Sequence, residues 1–130
     1  MMDKKILIAG AVFGLLGVII GAFASHGLKP LISEAAMNTF ETGVKYQMYH
    51  SLLLLLIGNM NFLSLKTRNI CFWFLVIGII LFSGSIYLLA TNDLTDFNFK
   101  RIGFITPIGG TALIIAWFIL LWNFFKLKKK

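Results

Sequence analysis

ICFWFLVIGIILFSGSIYLLA, residues 70–90, runs for 21 positions without a charge. About 20 apolar residues in a helix cover the roughly 30 Å hydrocarbon core of a bilayer, so this stretch reads as a membrane span. Three more such stretches lie around it, at residues 6–24, 44–63 and 104–125. Lys45, one step from an end, is the only Asp, Glu, Lys or Arg inside any of them. The four stretches occupy 82 of the 130 residues, which leaves short loops and no room for a second domain. The expected fold is therefore all-α: a polytopic membrane protein with four transmembrane helices in a compact bundle, one domain over residues 1–130.

Composition agrees with that reading. The chain is 58% hydrophobic and 13% charged, with a mean hydropathy of +0.87. Soluble domains carry about 25% charged residues, so a water-soluble catalytic domain is excluded. Cys71 is the only cysteine; no intramolecular disulfide and no thiolate metal cluster can be built from it. An apolar run before Ala22-Phe23-Ala24 imitates a signal peptide. At 19 residues it exceeds the 7–15 of such cores, so a retained first helix is expected.

The net charge of +7 is unevenly spread. Four spans put both termini and the 64–69 loop on one side of the membrane. That side carries Lys4, Lys5, Lys66, Arg68, Lys126, Lys128, Lys129 and Lys130 against Asp3. The other carries Lys29, Lys45, Lys100 and Arg101 against Glu34, Glu41, Asp93 and Asp96. Short cytoplasmic loops are enriched in Lys and Arg, so both termini are expected in the cytoplasm. The cluster at 126–130 reads as a stop-transfer signal and anchor for anionic membrane lipids. No folded basic face exists to bind nucleic acid.

Gly10, Gly14, Gly17 and Gly21 recur at spacings of 4, 3 and 4, which keeps them on one helix face. A stripe of small residues lets a second helix approach closely. Spacing leaves open whether the partner belongs to the same chain, a second copy in a homo-oligomer, or another subunit of a membrane complex. Beyond Pro30, Ser33 is a suitable N-cap for a short helix. Met37, Phe40 and Val44 share a side of it, which predicts an interfacial helix between spans one and two. Pro107 suits a first helical turn.

The polar residues of the spans collect at one end. Alternating span directions bring Ser25, His26, Tyr46, Gln47, His50, Ser83, Ser85, Tyr87 and Thr106 to the outer half, beside Gly21. An unsatisfied polar group in hydrocarbon costs several kcal/mol, so these side chains must face protein or water. Two functions fit: a non-enzymatic protein whose polar pocket binds or moves a small molecule or lipid, or an accessory subunit whose polar cluster locks the bundle. A third has His26 and His50 flanking a haem iron. No Cys, Asp or Glu stands beside them in the spans to complete a zinc site. Nor does a buried carboxylate orient His50 for Ser–His hydrolysis. The expectation is no metal, no cofactor and no catalytic residue.

GAFASHGL at 21–28, FETGVKYQMYHSL at 40–52, LFSGSIYL at 81–88 and TPIGG at 106–110 closely resemble the signatures of the DUF423 family, which includes transmembrane protein 256. Four motifs in order make the resemblance specific over nearly the whole chain. Ser25 stands where the family more often has alanine. The resemblance implies a four-helix protein of the bacterial inner membrane, and carries no catalytic or binding residue with it.

Overall fold

The structure, a computed structural model, describes residues 2–128. Lys129 and Lys130 of the expected terminal cluster lie outside the described residues. Four long helices follow one another: α1 (Lys4–Phe23), α2 (Glu34–Gly58), α3 (Leu65–Ala90) and α4 (Ile105–Phe125). There is no strand among the described residues.

Capping chemistry sets where the helices start. Asp3 Oδ1 accepts from Ile6 N, Ser33 Oγ from Ala36 N, and Ser64 Oγ from Thr67 N. Each satisfies a backbone donor that the first helical turn leaves unpaired. The helices therefore begin at their caps rather than where the apolar windows begin. α3 starts at residue 65, not 70, and α2 starts at residue 34, not 44.

The stretch expected as a short interfacial helix forms the first turns of α2. Glu34–Gly58 is continuous, and its first turns carry Met37 and Phe40 inward, where both pack with Ala24, Leu28 and Ala90 in a small core at the loop end. Between α1 and α2 the chain passes through a π-helical turn, Ala24–Leu28, and a 3₁₀ turn, Lys29–Leu31. Pro30 lacks an N–H and its ring crowds the carbonyl four residues back, so regular α-helix cannot run through this point.

Each helix packs antiparallel and chiefly on its neighbour in sequence: α1 on α2, α2 on α3, α3 on α4. One core joins all four through Ile6, Leu54, Ile57, Leu75, Ile79, Leu113 and Leu120. The glycine stripe of α1 is consumed within the chain. A Cβ on Gly10 would come 2.9 Å from Ser51 O; Gly17 faces Met48 and Gly21 faces Val44 of the same α2. α3 and α4 cross at a second close approach, with Gly78 against Leu113 and the Gly109 carbonyl, and Gly109 against the backbone of Leu81 and Phe82.

The surface is apolar and the interior holds polar groups. Leu15, Val18, Ile114 and Phe118 are each more than 60% exposed, whereas Gln47, His50, Ser51, Ser83 and Ser85 are buried. Such a distribution suits hydrocarbon as solvent. Three helical stretches are long and apolar enough to cross a membrane: Lys4–Leu31, Leu65–Ala90 and Phe99–Phe125. α2 is as long, but Lys45, Gln47, His50 and Ser51 lower its average.

Candidate functional site

The helices assemble the polar residues by register. On α2, Gly43, Gln47 and His50 follow at spacings of 4 and 3, so they share the face turned into the bundle. Gln47 sits at the centre. Its Nε2 donates to the Phe13 carbonyl of α1 at 2.8 Å, and its Oε1 accepts from the Tyr87 hydroxyl of α3 at 2.6 Å. One amide thus ties three helices together. Ser83 Oγ donates to the Gly43 carbonyl at 2.7 Å, and Ser85 and Thr106 share a hydrogen bond of 2.5 Å between α3 and α4. Gly43 has room for none but itself, since a Cβ there would lie 2.8 Å from the Tyr87 ring.

His50 is held at both nitrogens. Nδ1 lies 2.6 Å from the Tyr46 carbonyl, and Trp117 Nε1 lies 3.0 Å from Nε2. An indole N–H only donates, so Nε2 must accept and Nδ1 must carry the proton. This fixes a neutral imidazole in one tautomer. The Tyr46 ring stacks on it at 6.1 Å, and Trp117 meets it edge-on at 6.0 Å. Beside these rings, Tyr46, His50, Phe82, Gly110, Ile114 and Trp117 wall a cavity of about 300 Å³, partly open at the side of the bundle. Nothing in the sequence pairs Trp117 with His50.

Nine of the ten residues expected around one pocket fall into three groups, and His26 stands apart. Gln47, Ser83, Ser85, Tyr87 and Thr106 make the interhelical hydrogen bonds. Tyr46 and His50 border the α2–α3–α4 cavity. Gly21 and Ser25 border another cavity, of about 240 Å³, with Glu41, Val44 and Lys45. Ser25 is exposed and its hydroxyl turns back to the Gly21 carbonyl of its own helix. His26 is exposed on the π-helical turn. The register of Gly17 on Met48 and Gly21 on Val44 puts His26 opposite residue 39 or so. That is about eleven residues, or roughly 16 Å of helix rise, from His50. No iron can bridge such a separation. Among the described residues, no three His, Cys, Asp or Glu side chains converge into a metal-binding group.

Comparison with known proteins places this arrangement in context. The family model described as "Protein of unknown function (DUF423)" matches residues 20–110. The chain is 38% identical over 123 residues to the UPF0382 membrane protein SH2409 of Staphylococcus haemolyticus, covering 95% of this chain and 97% of that one. It is 38% identical over 122 residues to the UPF0382 membrane protein YwdK of Bacillus subtilis, covering 90% and 93%. It is 32% identical over 136 residues to the UPF0382 inner membrane protein YgdD of Escherichia coli, covering 100% and 96%. No solved structure matches the chain.

Proposed function

The chain belongs to the DUF423 family of membrane proteins, and from that premise we propose a four-span, non-enzymatic protein of a bacterial cytoplasmic membrane that binds a membrane-dissolved amphiphile between α2, α3 and α4. The fourth span in this reading is α2. Its 25 residues rise about 37 Å, enough for the hydrocarbon core, and Gln47, His50 and Ser51 are buried against protein. The Lys/Arg bias puts both termini in the cytoplasm, and the first turns of α2 then lie near the outer surface.

The observation that carries the binding role is the cavity of about 300 Å³ beside Tyr46, His50, Phe82 and Trp117. It has the size and mix of a small ligand site: mostly apolar and aromatic walls with a few fixed polar groups. Its open side faces the surface that lipid would cover, so a ligand would enter laterally. Binding is favoured over catalysis because both His50 nitrogens are engaged and no carboxylate orients the ring. The accessory reading is supported by a different set of residues. Gln47, Ser83, Ser85 and Thr106 satisfy one another or backbone carbonyls, as structural locks do.

Photolabelling with a diazirine fatty acid separates the two. The binding role expects labels concentrated on Tyr46, Phe82, Ile114 and Trp117, and their loss in a folded Gly110→Leu variant whose side chain fills the cavity. Labels spread evenly over Leu15, Ile19 and the other exposed faces, unchanged by Gly110→Leu, leave only the locking role.

A further inference from the structure

At the end of the bundle that holds the chain termini, Asp3, Lys4, Lys5, Asn61, Leu63 and Arg68 border a cavity of about 520 Å³. Three cations face one acid there. Asp3 Oδ1 caps α1 by accepting from Ile6 N, and its charge offsets one of the three cations, which leaves the cavity with an excess of positive charge. Arg68 is 2% exposed, an unusual position for an arginine. Lys5 sits where this cavity meets α3. Its ammonium donates to Asn69 Oδ1 at 2.6 Å and lies 4.6 Å from the centre of the Phe72 ring.

From Asn69 an apolar groove continues along α3. Asn69, Ile70, Trp73, Phe74 and Ile77 border about 260 Å³ of space on one helix face. Residues 69 to 77 span roughly 12 Å along the axis, or two helical turns. Basic cavity and apolar groove therefore adjoin at the Lys5–Asn69 hydrogen bond, with the positive part at the helix ends and the apolar part deeper. That is the charge and polarity profile of one molecule: an anionic phosphate head attached to an acyl chain.

We propose that Lys4 and Lys5 bind the headgroup phosphate of an anionic phospholipid from the cytoplasmic leaflet, with one acyl chain in the Ile70–Trp73–Ile77 groove. The choice of leaflet rests on the topology proposed above. The site itself is separate from the His50 cavity, with which it shares no lining residue. The lysines supply charge without directional demands.

Native mass spectrometry of the full chain in mixed micelles, with phosphatidylglycerol and phosphatidylcholine of matched chains, tests this. Wild type should retain phosphatidylglycerol preferentially. Lys4→Gln with Lys5→Gln should cut that preference roughly thirtyfold, the scale expected for removing two cations near an anionic surface. Lys100→Gln with Arg101→Gln makes the same charge change at the opposite end of the bundle and should leave the preference intact. Trp73→Ala should weaken retention severalfold by opening the groove. Equal losses in both double variants would reduce the effect to diffuse electrostatics and overturn the site. Displacement of phosphatidylglycerol by excess inorganic phosphate, or indifference to Trp73→Ala, would assign the cavity to a free anion and overturn the lipid. Gly110→Leu should not alter this binding, so the fate of this site and that of the His50 cavity are read apart.

Discussion

Gln47 is the residue on which most of the interior depends. Its amide donates to α1 and accepts from α3, so removing it strands the Tyr87 hydroxyl and frees the Phe13 carbonyl at once. Interhelical hydrogen bonds in membrane proteins average about 0.6 kcal/mol, with the strongest near 1.7. Gln47→Leu keeps the volume and loses both bonds, so thermal unfolding in detergent should show a loss of about 1–2 kcal/mol. Ser25→Ala, by contrast, removes only an exposed bond to its own helix and should stay within about 0.5 kcal/mol of wild type. Equal stabilities for the two variants would mean that the amide locks nothing. The need for partners at Gln47 and His50 is legible in sequence, because polar groups at that depth cannot face lipid. The partners are not. A backbone carbonyl such as Phe13 O carries no residue signature, and Trp117 is set opposite His50 only by the way α4 packs.

Among the helices, glycines decide how closely neighbours approach, and they are not equivalent. A Cβ on Gly109 would drive into the backbone of Leu81 and Phe82, and one on Gly10 into the Ser51 carbonyl at 2.9 Å. Backbone cannot swing aside as a side chain can. Gly14 has only ordinary contact with Ser51 Oγ at 3.5 Å, and Gly84 has nothing within 4 Å. Gly10→Ala and Gly109→Ala should therefore each cost about 1–3 kcal/mol through overpacking. Gly14→Ala and Gly84→Ala should be neutral or gain up to about 1 kcal/mol from helix propensity. Unfolding midpoints of the four variants check this, and a destabilised Gly84→Ala would break the argument. The spacing in α1 reveals a packing face from sequence alone, yet it ranks Gly10 and Gly14 alike. Gly78 and Gly109 form no repeat, so their crossing of α3 with α4 has no signal until both helices are in register.

For the molecule as a whole, hydropathy and burial must be separated. Four apolar windows identify the helices, but a window average charges α2 for Lys45, Gln47, His50 and Ser51 without knowing which way they point. The structure buries Gln47, His50 and Ser51 at 3%, 4% and 1% exposure, so the surface α2 offers to lipid is more apolar than its sequence. The caps contribute the other discrepancy, since Ser33 and Ser64 set helix starts that no apolar run marks. The proposed topology makes α2 its critical element: if α2 crosses, its two ends lie on opposite sides of the membrane. Glu34 and Asn61 flank it and both are exposed, while the native Cys71 is buried and serves as an internal blank. A membrane-impermeant maleimide should label Glu34→Cys in intact cells and Asn61→Cys only after the membrane is opened. The same label on both from outside would leave α2 on the surface and reduce the protein to three spans. Labels in the opposite order would keep four spans and invert the Lys/Arg argument, moving the basic cavity at Lys4 and Lys5 to the outer leaflet.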